Sequence, residues 1–228
     1  MKKFMVIFVL TFLAVVGLNK YEGVAWAEND VEMDIDMFKY VSSDGESYEI
    51  EIEIGGEDVK KVKTATIKIP SGKNMKLKNS LGLDEIGLWA SYSNYNEFNK
   101  TFPEGEYSIT LSPKKYGNLK ADITHDFPET PEITYPEDGA TDVPLNLTIE
   151  WKSVGDVDDL WVEVKGENAE LGEIELLFNV PSDNTSLVIP NGVLLPNSQH
   201  ELLLRIAEAS DENDLSTIRV VHFTTGSE

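Results

Sequence analysis

The chain has 228 residues, no cysteine, 41 acidic residues against 19 basic ones, and a formal net charge of −22. That balance repels nucleic-acid phosphates and anionic lipid headgroups, and the only two arginines, Arg205 and Arg219, make no phosphate-reading cluster. The missing thiols exclude thiol catalysis, iron–sulfur clusters and thioether-linked haem.

Lys2 and Lys3 precede an apolar run, FMVIFVLTFLAVVGL, that ends at Leu18. Ala25-Trp26-Ala27 then has the small-x-small form of a cleavage site. The run is shorter than the roughly 20 residues a spanning helix needs. The expectation is a secretory signal peptide over residues 1–27, with no membrane span after its removal. The mature chain is then secreted or periplasmic. The removed segment holds three lysines and one glutamate, so cleavage takes the net charge to −24. Such acidity also fits disorder, but the apolar alternation that follows argues for a folded chain.

Alternation with period two dominates. VEMDIDM sets Val31, Met33, Ile35 and Met37 on one face. SYEIEIEIGG sets Tyr48, Ile50, Ile52 and Ile54 inward and Glu49, Glu51 and Glu53 outward. SSDGE between them reads as a turn, which predicts a hairpin. TATIKIPSG and EGEYSITLSP continue the pattern through Ala65, Ile67, Ile69, Tyr107, Ile109 and Leu111. One stretch breaks it, GLWASYSNYNEFNKTFPEG. There, Asn94 followed by Glu97 gives a capping signal, and Tyr95, Phe98 and Phe102 share a helical face. A short helix is predicted from Tyr95 to about Thr101, stopped by Pro103 and Gly105. THDFPETPEITYP, with Pro128, Pro131 and Pro136, reads as a stiff connector. It divides an N-terminal β domain, 28–127, from a second domain, 128–228.

The second half holds about seven short strand signals, the number expected of a two-sheet sandwich. LNLTIEWKS places Leu147, Ile149 and Trp151 on one face, and DLWVEVKG does the same with Val162 and Val164. GEIELLFNV, TSLVIP, LLPNSQHELLLRIAEA and STIRVVHFTTG follow. These details resemble bacterial fibronectin type III domains over residues 129–226. Trp151 matches the family's second-strand tryptophan. Leu194, Pro196, Asn197, Ser198 and His200 fall on its leucine–x–proline–glycine–threonine–x–tyrosine run, and Phe223 to Gly226 on its closing phenylalanine–threonine–threonine–glycine. His200 replaces the corner tyrosine, which implies a looser corner. Asn197 replaces glycine and tolerates positive φ. In the first half, Phe102–Tyr107 and Thr124–Pro131 resemble a β domain that precedes such domains in secreted bacterial proteins of no assigned activity. The resemblance implies an all-β chain of two sandwich-like domains in tandem and an extracytoplasmic address, without a reaction.

Chemistry is sparse. HELLL at 200–204 begins like a zinc-protease helix, but position 204 is Leu and the run alternates as a strand. No nucleophile elbow and no phosphate-binding loop is present. No enzyme activity, cofactor or resident metal is expected. Calcium has weak candidates in Asp156, Asp158, Asp211 and Asp214, on two loops that the resemblance places at one end; solvated acidic turns are the plainer account. Trp89 and Tyr92, among Ser91, Ser93 and Asn94, offer a glycan platform; core and helix packing is the alternative. Trp161 alternates out of phase with Val162 and Val164. With Leu203 and Arg205 of the paired strand it offers an apolar–cationic patch, unless a loop or the first domain covers it. The reading is a non-catalytic binding or scaffold module for an unknown protein partner. A carbohydrate-binding module and a calcium-stabilised adhesion module stand as alternatives.

Overall fold

The computed structural model describes residues 31–79, 82–168, 172–209 and 214–227. The expected signal peptide and Asp211 lie outside the described residues. Strands β1 (Glu32–Ser42) and β2 (Gly45–Gly55) form the expected hairpin. The Ser42 hydroxyl accepts the Asp44 N–H at 3.2 Å, and Gly45 takes φ 125°, a region open chiefly to glycine. The alternation is realised: Ile35, Met37, Tyr48, Ile50, Ile52 and Ile54 are buried, and the intervening glutamates project to the other side. Each isoleucine so buried contributes roughly 1.5–3 kcal/mol.

Next come β3 (Thr64–Lys68), β4 (Asn74–Lys78), β5 (Ile86–Tyr92), α1 (Tyr95–Thr101), β6 (Gly105–Ser112) and β7 (Asn118–Ile123). The helix has the predicted bounds. Asn94 Oδ1 accepts the Glu97 N–H at 3.0 Å and satisfies one of the first-turn donors. Phe98 and Phe102 are buried, and each meets the Tyr92 ring edge-on. Strand β5 is the main departure from the sequence reading. Gly87, Ala90 and Ser91 blur its alternation, and it is held by pairing with β2 along its whole length.

The second half supplies β8 (Ile133–Tyr135), β9 (Ala140–Val143), β10 (Thr148–Trp151), β11 (Asp159–Asn168), β12 (Gly172–Asn179), β13 (Ser186–Val188), β14 (Gln199–Ala209) and β15 (Asp214–Thr225). The protein is all-β, in three sheets. Two are small, with orders β13-β10-β8 and β4-β3-β6-β7. The third runs β12-β11-β14-β15-β1-β2-β5, with β9 also on β15. Strands from both halves of the chain therefore share one sheet. The joint is a parallel pairing of β1 with β15, from Asp36 opposite Asp214 to Val41 opposite Arg219. Further along the same edge, β9 takes over at Phe223 and Thr225. Strand β9 lies in a stretch that reads as a turn; its four residues include Asp142 at φ 57°, so no alternation announces it.

One side of the large sheet carries two apolar cores. The first packs β1, β2 and β5 against the four-stranded sheet and α1, and takes Leu215 from β15. The second packs β11, β14 and β15 against the three-stranded sheet, with Leu147, Ile149 and Trp151 buried as expected. The proline connector lies against the body: Pro128, Pro131 and Pro136 are buried. The Thr217 hydroxyl, itself buried on β15, donates to the Pro128 carbonyl at 2.7 Å.

The corner before β14 is held differently from the tyrosine scheme. Asn197 does adopt φ 52°. His200 turns inward, 3 % exposed and stacked on Phe223 at 5.2 Å, over the bare α-carbon of Gly166. The carbonyls of Leu195 and Lys165 lie near its ring, but neither ring nitrogen makes a hydrogen bond. Burial pushes its pKa down. The corner bonds come instead from Thr225, whose hydroxyl donates to Leu195 O and accepts the Ser198 N–H at 3.0 Å. Among the described residues no helix is long and apolar enough to cross a membrane.

Candidate functional site

The two cores occupy one side of the large sheet. Residues directly paired across strands project to the same side, so the register maps the other side row by row. One row runs Asn179, Trp161, Arg205, Ile218, Tyr40 and Ser47, from β12 to β2. A second runs Leu177, Glu163, Leu203 and Val220. A third runs Asp214, Asp36, Glu51 and Trp89, ending on β5.

Trp161 and Arg205 are thus brought together as direct cross-strand neighbours. Both are half-buried, while Leu203 is only 7 % exposed. The reason is β1, which sets Phe38 and Tyr40 beside them. These two rings pack on Leu203, Ile218 and Val220 in a third apolar cluster drawn wholly from this one sheet. The Arg205 guanidinium stands 5.1 Å from the Phe38 ring centre, and its Nε donates to the Ser216 hydroxyl at 3.0 Å. Such a cation–ring contact is worth about 0.5–2 kcal/mol, enough to fix the side chain on the sheet. Phe38 and Tyr40 escaped the sequence reading. Their signal was the parity of β1: beyond Met37 its large residues fall on the outward positions.

Carboxylates frame this aromatic centre. Asp36 is pushed up to about 7, first by burial and then by the facing Asp214, with Glu51 and Asp34 adding and Arg205 opposing. Burial also raises Asp214 and Asp34. Burial raises the Tyr40 hydroxyl too, and so does its hydrogen bond with Glu49. Glu163 is raised by burial and by its contact with Glu175, against the pull of Lys165 at 2.9 Å.

Trp89 and Tyr92 do not form a shared platform. They lie three residues apart on a strand and so point to opposite sides. Trp89 is 61 % exposed on the open side, opposite Glu51. Tyr92 packs into the first core. Asp156 and Asp158 are exposed in the loop before β11. Asp214 feels the charge of Asp158 and Asp159, yet it sits opposite Asp36 on the sheet. Among the described residues no group of three or more His, Asp or Glu side chains is placed to hold a metal ion.

The sequence matches no protein-family model and no curated protein. The geometry therefore carries the functional argument.

Where β1 leaves β15, a notch of about 420 Å³ opens, lined by Tyr40, Ser42, Ser47, Glu49, Glu201 and His222 among others. His222 Nε2 lies 3.2 Å from Glu201 Oε2. Behind His222, Asp138 accepts the backbone N–H of that residue at 2.8 Å and bonds the Ser43 hydroxyl. Those two bonds hold the Asp138 carboxyl below its ordinary range. Asp138 is thus a tie between the β1–β2 turn and β15.

Proposed function

We propose that the protein is a secreted, non-catalytic binding module that recognises a protein partner outside the cytoplasm. The observation that carries this reading is the side of the large sheet that no second sheet covers among the described residues, where Trp161, Arg205, Phe38 and Tyr40 form a continuous aromatic–cationic strip. Half-buried Trp, Tyr and Arg side chains on a rigid sheet are the residue types that anchor protein interfaces. The sheet holds them in place, so little ordering entropy opposes binding. The strip is also shared between the two halves of the chain, so it exists only when β1 is seated on β15. The reading places residues 129–226 in a fibronectin type III-like sandwich. Supporting it are the three-stranded sheet β13-β10-β8 facing β12-β11-β14-β15, and the buried Trp151 on β10.

The test is crosslinking of the mature protein in its native extracytoplasmic fraction, comparing wild type with Trp161→Ala and Arg205→Ala. The expected result is one adduct protein whose yield drops about tenfold or more in either variant. Equal yields from all three would overturn the assignment of this face. A carbohydrate reading retains one observation, the exposed indole of Trp89. A glycan array on wild type and Trp89→Ala decides it, and no signal above background ends it.

A further inference from the structure

The large sheet ends at β5, and this edge differs in composition from the other terminal strands. Native sheets protect their edges with charge, proline or brevity. Strand β12 carries Glu173 and Glu175, β4 carries Lys76 and Lys78, β7 carries Lys120 and Asp122, and β13 and β8 have three residues each. Strand β5 has seven residues, IGLWASY, and none is charged. Among the described residues its one strand partner is β2. Beside its other edge lies a cavity of about 280 Å³, lined by Leu77, Lys78 and Asn79 on one side and by Leu83, Glu85, Ile86 and Gly87 on the other. Leu83 is 54 % exposed and Trp89 61 %, on either side of Gly87.

Around Gly87 three carboxylates, Glu51, Glu53 and Glu85, outnumber the one cation that lines the cavity, Lys78, which stands on its far wall. Glu51 and Glu53 are raised by burial and then by the charge of Glu85. A Cβ on Gly87 would stand 3.6 Å from Glu85 Oε1, so the missing side chain leaves that carboxylate reachable from the edge.

We propose that β5 is where a partner protein adds a strand, through an extended segment that sets a lysine or arginine beside Gly87. Main-chain hydrogen bonds to the free edge supply affinity. The cation answers Glu51, Glu53 and Glu85, and its stem lies along the Trp89 ring. Apolar residues at alternate positions continue the side of Leu88 and Ala90, toward the cavity. Charge selects this occupant over a second copy of the chain, because self-addition would bring two sets of the same carboxylates together. This edge lies five strand spacings from Trp161 on β11, roughly 24 Å at about 4.8 Å each, so it stands or fails independently of the strip.

The test uses the mature full chain and two synthetic peptides of alternating sequence, one Lys-Val and one Glu-Val, with hydrogen exchange as the readout. The expected result is that the Lys-Val peptide slows exchange at residues 86–92, and that the Glu-Val peptide does not. Glu53→Lys and Glu85→Lys weaken the Lys-Val effect about tenfold each. Trp89→Ala weakens it while leaving the urea midpoint unchanged. Protection by both peptides alike, protection elsewhere only, or none at millimolar peptide overturns the proposal. Protection of 86–92 without peptide, rising with protein concentration, assigns the edge to a second copy and overturns it equally.

Discussion

The two sides of the large sheet obey different rules. On the covered side Ile50, Ile52, Ile54, Leu202 and Leu204 are each fully buried, and apolar contact with a second sheet fixes them. On the open side β2, β11 and β14 carry Glu51, Glu53, Trp161, Leu203 and Arg205, and among the described residues the apolar cluster there draws only on strands of this sheet. The first side makes the fold, and the second leaves surface for recognition. Removing a covered side chain should therefore cost stability, and removing an open one should cost binding.

The largest contrast is expected from Ile52→Ala against Trp161→Ala. Ile52 is completely buried, so its truncation should cost about 2–5 kcal/mol in urea unfolding. Trp161→Ala should cost no more than about 1 kcal/mol and still abolish crosslinking. Comparable losses for the two would erase the distinction. Next in size is Thr217→Val, which leaves the buried Pro128 carbonyl without its donor. A loss of about 1–3 kcal/mol is expected, and a change below about 0.5 kcal/mol would mean the connector is not tied to β15.

The third expectation concerns pH. Asp36 binds its proton more tightly in the folded chain than its ordinary 3.8, up to about 7. Its contribution to stability is thus greatest in acid and is lost as the pH rises from about 4 through 7. Asp36→Asn should flatten the fall in stability over that window by on the order of 1–3 kcal/mol. A variant whose pH profile parallels wild type would show that burial beside Asp214 does not hold the proton on Asp36. The smallest effect is expected at Lys152→Ala, which removes an exposed pair with Glu132 and should change stability by about 0.5 kcal/mol or less.

The covered side was legible in the sequence because burial and alternation coincide there. Ile50 to Ile54, Leu147 to Trp151 and Val162 to Val164 announce both strand and face. The helix was legible through Asn94 and Glu97, whose cap is a local bond. What escaped depends on partners distant in sequence. Strand β5 is paired by β2 and β9 by β15; β5 sets Ile86, Leu88, Ala90 and Tyr92 on one side, but Trp89 on the other side and the small Ala90 mask that alternation. The joining of β1 to β15 brings together residues some 180 positions apart, and nothing local in either strand encodes it. Trp161 and Arg205 were found because their parity was wrong for a core. Phe38 and Tyr40, of the same kind, lie beyond Met37, where the inward apolar run of β1 ends. His200 shows the converse: expected at a corner, it is buried there without a hydrogen bond, and the bonds are made by Thr225.

The central claim is that the open side of the joined sheet, and not its sandwich-covered counterpart, meets the partner. It is tested most directly by placing a photo-crosslinking amino acid at Leu177, 55 % exposed on the open side, and separately at Val188, 62 % exposed on the three-stranded sheet. Irradiated in the native extracytoplasmic fraction, the Leu177 position should yield a discrete adduct protein and the Val188 position none. Adducts from Val188 alone, or the same adduct equally from both, would contradict the account.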